Sequence, residues 1–192
     1  MRRQSRVPAD GGFTMIEVVV ALALVTGMMA ALGAYFVSSV RASRYQAQIQ
    51  TAARLAQSGM EAARGLGGPT LLTGRAECGS CTDVGGFDTA GYLSGTVRWD
   101  AAAGGIAPAV PLPDVAEPAI VRDVVYHRHF LVGRCWQPAG GGECGPSAGL
   151  PVAMVRLVVA VVWDSPDCGS SRCYRAATSL FSADSTDPVF DQ

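Results

Sequence analysis

An α+β fold is expected from this sequence: a long N-terminal helix, apolar enough in its first half to span a membrane, packed through its second half on a small antiparallel β-sheet. Three observations lead there. Val18–Val40 is a run of 23 residues without a charge. Tyr45–Leu66 carries one apolar stripe at helical spacing. Beyond it, apolar runs of strand length alternate with Gly- and Pro-rich breaks.

Residues 1–12 read as a short polar leader. Residues 13–66 read as one helix of roughly 80 Å, with Gly27 and Gly33 as its interruptions. Each glycine costs about 1 kcal/mol in a helix interior, but in a membrane small residues permit close helix packing, and that is the reading preferred here. The charge-free run alone makes about 35 Å of helix, enough to cross a hydrocarbon core. After Arg41 the pattern turns amphipathic. Tyr45, Ile49, Ala52, Ala56, Met60, Ala63 and Leu66 form the stripe, with Arg44, Gln48 and Glu61 off it. Gly65, Gly67, Gly68 and Pro69 end the helix.

Residues 67–95 are rich in Gly, Thr and Ser. A strand is expected at Gly95–Asp100, followed by a Pro/Ala/Gly loop from Ala101 to Pro118. Ala119–Trp136 reads as one strand and Val152–Trp163 as another. The second is apolar on both alternating faces, Val155, Leu157, Val159, Val161 and Trp163 against Met154, Val158, Ala160 and Val162, which marks a central strand covered on both sides. Asp164–Arg172 carries the turn signals of a hairpin tip, Tyr174–Ser182 returns, and the polar tail Ala183–Gln192 is expected to fray. The result is a sheet of about four strands, which needs a cover. The Tyr45–Leu66 stripe is the only amphipathic helix available to supply one.

The most informative stretch is Gly12-Phe13-Thr14-Met15-Ile16-Glu17, directly before the apolar run. A carboxylate deep in lipid costs roughly 2.5 to 3.5 kcal/mol, so a compensating partner for Glu17 is expected. This stretch resembles the processing site of type IV prepilins and type II secretion pseudopilins. The resemblance implies a membrane peptidase that cuts after Gly12 and N-methylates the new terminal Phe13. It also implies that Glu17 pairs with the terminal ammonium of a neighbouring subunit during assembly. An ion pair of that kind inside an apolar bundle sets register more than it adds stability. A second, looser similarity is to the helix end of PilV-like minor pilins, carried by Leu55-Ala56-Gln57 and by Glu61-Ala62-Ala63-Arg64. Pilin-like proteins share the architecture derived above. The similarity covers residues 7–66, and the rest agrees in outline.

Two plainer readings compete. A conventional secretory signal would be cut near Ala31-Leu32-Gly33, but its apolar region is shorter and is not opened by an acid. An uncut single-span anchor is the other.

Six cysteines, Cys78, Cys81, Cys135, Cys144, Cys168 and Cys173, all lie beyond the apolar run. An even set is expected on an oxidising side of the membrane, whereas the arginines flanking the run, Arg2, Arg3 and Arg6 against Arg41 and Arg44, orient it only weakly. Spacings of 3, 9 and 5 suggest three local disulfides. Cys78-Gly79-Ser80-Cys81 also has the spacing of a zinc half-site or a redox pair. Zinc needs a second compact couple, and a redox pair belongs on a helix N-terminus after a strand.

The chain holds 15 basic and 16 acidic side chains, all the basic ones arginine, for a net charge of −1. Loss of residues 1–12 takes this to −3, which does not suggest a nucleic-acid binder. His127 and His129 share a strand face and could hold a metal. An exposed face without a site is the preferred reading, because no carboxylate lies close on it. No serine-hydrolase elbow, zincin motif, P-loop or lysine is present. The absence of lysine also argues against an isopeptide-linked pilus.

The expected organisation is a leader at 1–12, a membrane and assembly helix at 13–40, and an extracytoplasmic domain at 41–192 that includes the helix half 41–66. The expected function is structural, without enzyme activity or cofactor. It is a minor pilin-type subunit that joins or primes a type IV pilus, with prepilin peptidase, other pilin subunits, an inner-membrane assembly platform and membrane lipid as its partners. A pseudopilin of a secretion or DNA-uptake system shares these features. A membrane-anchored extracytoplasmic binding or enzyme domain is the alternative of another class.

Overall fold

The computed structural model describes residues 12–78, 89–101, 111–147, 149–168 and 172–184. They form an α+β protein: a long N-terminal helix α1 (Met15–Arg64) and an antiparallel sheet of six strands. The expected leader, apart from Gly12, lies outside the described residues, as do Cys81 and the tail beyond Asp184. Two compact units divide at Gln46 and Ala47.

In the first unit α1 starts one residue after Thr14. The Thr14 hydroxyl accepts the Glu17 amide at 3.4 Å, and its carbonyl accepts the same amide at 3.0 Å. Thr26 and Ser38 return their hydroxyls to carbonyls of the preceding turn, which satisfies them without water.

In the second unit α1 presents Ala52, Ala56, Gly59, Met60 and Ala63 as its buried face, close to the expected stripe. Small residues dominate because the helix lies close to the sheet. Gly59 is a member of that face that the expected stripe leaves out. Gln48, expected off the stripe, accepts a hydrogen bond from the Trp163 indole at 3.3 Å. A short helix α2 (Gly68–Leu71) follows. Gly68 is required there, since a Cβ would fall on the Ser182 carbonyl.

The remaining elements are β1 (Arg75–Glu77), a helical turn α3 (Thr89–Tyr92), β2 (Val97–Ala101), β3 (Glu117–Val121), β4 (Val124–Gln137), β5 (Val152–Asp164) and β6 (Arg172–Ser182). The sheet order is β1-β2-β4-β5-β6, with β3 paired on β4 beside β2. The single expected strand Ala119–Trp136 is therefore a hairpin. Arg122 and Asp123 both have positive φ, 50° and 64°, and turn the chain so that Val121 pairs with Val124. That is the primed two-residue turn whose twist suits a hairpin. The expected four strands become six through this split and through β1, which has only three residues.

Strand β5 is central, paired along its length with β4 and β6, and buried on both faces as expected. Val155, Leu157, Val159, Val161 and Trp163 face α1. Val158, Ala160 and Val162 join Leu131 and Leu93 in a second cluster, with Tyr92 and Ala176 packed against it. The segment after α3 covers this second face. Gly133 permits the approach, because a Cβ there would meet Thr96 and Leu93. The Tyr126 and Trp163 rings, 5.7 Å apart and almost fully buried, anchor the α1 side. Burial of each side chain of this size contributes about 1.5 to 3 kcal/mol.

Candidate functional site

The N-terminal segment is the first candidate. Gly12 and Phe13 precede the helix, outside any regular element, and Phe13 is 82% exposed. The apolar run after them is exposed from Val18 to Ser39, its most apolar window has no buried residue, and α1, which carries it, is the one helix among the described residues long and apolar enough to cross a membrane. Glu17 lies in the first helical turn and forms no ion pair among the described residues. Thr14-Met15-Ile16-Glu17 also has the spacing of a helix capping box. An acid in the first turn gains typically 0.3 to about 1 kcal/mol from the helix dipole. That is less than the roughly 2.5 to 3.5 kcal/mol cost of a carboxylate deep in lipid, so local capping offsets only part of it.

The six cysteines behave as structural elements where described. Cys135 and Cys144 are bonded, as are Cys168 and Cys173, with Cα separations of 5.5 and 5.6 Å. The first bond ties the end of β4 to the following loop, where Trp136 and Gly145 exchange backbone hydrogen bonds. The second closes the β5–β6 hairpin. Cys78 is disulfide-bonded and its amide donates to the Arg98 carbonyl at 3.0 Å. Cys81 lies outside the described residues, and with it the expected 78/81 pairing.

The histidine pair separates. His127 is exposed, whereas His129 is buried at 7% exposure, so the expected exposed face holds for one and fails for the other. The cover that buries His129 comes from residues distant in sequence. Desolvation by burial, with a smaller contribution from His127, holds the His129 imidazole below its ordinary pKa. No cluster of three metal-ligating side chains occurs among the described residues.

Beside His129 lies a small cavity of about 20 Å³ lined by Arg75, Asp100 and Asp114, room for one water. Arg75 is buried, donates to the Leu112 carbonyl at 3.2 Å and lies 3.9 Å from Asp100. Burial lowers the pKa of its guanidinium, with Asp100 and Asp114 opposing. No sequence signal pointed to Arg75, because its burial follows from the loop that carries Leu112. Two shallower grooves exist. One of about 700 Å³ lies at the Arg64 end of the sheet, beside Met154 and Leu180. The other, about 550 Å³, runs between α1 and the β3–β4 turn.

No family model, no curated protein and no solved structure matches the chain.

Proposed function

We propose that this chain is a minor pilin-type structural subunit that assembles into, or primes, a type IV pilus or related filament after prepilin peptidase processing. One observation carries the reading. Gly12 and Phe13 stand directly before an exposed apolar helix whose first turn holds a carboxylate, Glu17, with no ion pair among the described residues, and whose later half covers an antiparallel sheet.

In the membrane, residues 18–40 hold the subunit. Cleavage after Gly12 creates a terminal ammonium on Phe13, which is N-methylated. In the filament the apolar helices of successive subunits bundle, and the ammonium of one neutralises Glu17 of another. The two charges leave the headgroup region together, so neither stays unpaired in an apolar interior. The disulfide-clipped sheet remains on the extracytoplasmic side.

The test is Glu17→Ala. The variant is expected to insert stably and to fold as the native chain does, yet to be missing from sheared filaments or unable to prime them. Incorporation at the native level would refute a charge partner for Glu17.

A further inference from the structure

The β3–β4 hairpin carries an apolar pair that no described residue of its own unit covers. Ile120 and Val125 are cross-strand partners, 75% and 43% exposed. Between them stands the Arg122–Asp123 turn, both residues at positive φ. Asparagine and glycine fill such a turn with less strain, so turn geometry gives no reason for an arginine there. Val121 and Arg122 line one groove with Ala47, Thr51 and Arg54. The tip therefore lies beside the first residues of the sheet-bearing unit.

Ala47 follows Val40, the last residue of the charge-free run, by seven positions. Seven residues reach at most about 25 Å in any conformation, so the tip stays close to a bilayer that holds residues 18–40. Arg41 and Arg44 lie within that tether. Asp123 is the acid on the turn itself, with Arg122 beside it and Arg54 lining the same groove as Arg122.

Exposed aliphatics beside cations, tethered at this range, match a lipid surface. The aliphatics enter the boundary between headgroups and acyl chains, and arginines meet the lipid phosphates. We propose that the β3–β4 tip rests on the anionic membrane surface through Ile120, Val125 and Arg122 while the chain is membrane-held. A protein partner would have to compete with a surface already present at high effective concentration. This inference rests on the membrane span and not on filament assembly.

The test uses the full chain in vesicles of phosphatidylcholine and phosphatidylglycerol, with neither peptidase nor other subunits, so its outcome is independent of the pilin reading. A photoreactive benzophenone amino acid replaces Ile120. In a second preparation it replaces Leu180, which is also part-exposed but pairs with Arg156, away from the hairpin. Replacement of Leu32, inside the apolar run, controls for the photochemistry. Lipid adducts are expected at 120 and not at 180. With Arg122→Gln added they are expected to fall by up to about fivefold, the factor for one cation near an anionic surface. Adducts to a second copy, equal lipid adducts at 120 and 180, or none at 120 while 32 reacts would each overturn the proposal.

Discussion

Gly59 on α1 faces Val159 on β5 so closely that a Cβ at Gly59 would lie 2.9 Å from the Val159 Cγ1 and 3.1 Å from the Phe130 ring. Val159 is fully buried and β-branched, so it cannot swing aside cheaply. Gly59→Ala gains up to about 1 kcal/mol of helix propensity against an overpacking cost of about 1 to 3 kcal/mol. The expected result is a net loss of about 1 kcal/mol, seen as a lower midpoint in denaturant titration. Gly27→Ala, with open space around it, is the control and should not destabilise.

His129 makes stability pH-dependent. Its folded-state pKa is lowered by burial and then by His127, so the unfolded chain binds its proton more readily. Stability from this group is therefore complete above about pH 6.5 and is lost as pH falls below that value. Denaturant midpoints measured across about pH 7.5 to 5 should fall on the acid side. His129→Gln should flatten that limb even if it lowers the midpoint throughout.

The Arg122–Asp123 turn is conformationally costly, because Arg122 is ill suited to positive φ and Asp123, though it tolerates that region, adopts it less readily than glycine. Replacing the pair by Asn-Gly keeps the two-residue loop and removes the strain. A gain of about 1 kcal/mol is expected, measured as a raised unfolding midpoint. An unchanged or lower midpoint would show that the arginine and aspartate make contacts of greater worth than the strain.

The two described disulfides close short loops. By loop-closure entropy each contributes about 2 to 3 kcal/mol, the nine-residue separation slightly more than the five. Cys135→Ala with Cys144→Ala should destabilise more than Cys168→Ala with Cys173→Ala, because Cys135 is fully buried and its loss also leaves a cavity. Peptide mapping of the native, non-reduced chain should show Cys168 linked to Cys173.

Periodicity made much of this fold legible. The helix expected at 13–66 is Met15–Arg64, and the doubly buried strand at Val152–Trp163 is β5, one residue longer. The β3–β4 hairpin was illegible because its turn uses Arg and Asp, where Gly, Asn or Pro would have signalled it. Gly59 was missed because a stripe counted in apolar side chains passes over a residue without one. His129 looked exposed because the segment near Leu93 that covers its face lies some 36 residues upstream, and strand alternation carries no information about such covers. Of the candidate site, Gly12, Phe13 and Glu17 are legible as a pattern, while the Thr14 cap is masked by the charge of Glu17, whose amide it accepts.

The central claim is that Gly12-Phe13 is a processing site, and intact-mass and peptide sequencing of the chain, isolated from a cell that makes prepilin peptidase, tests it most directly. The expected mature chain begins at N-methylated Phe13, and Gly12→Val leaves the leader attached. A mature chain that retains residues 1–12, or one that begins near Ala34, would contradict it.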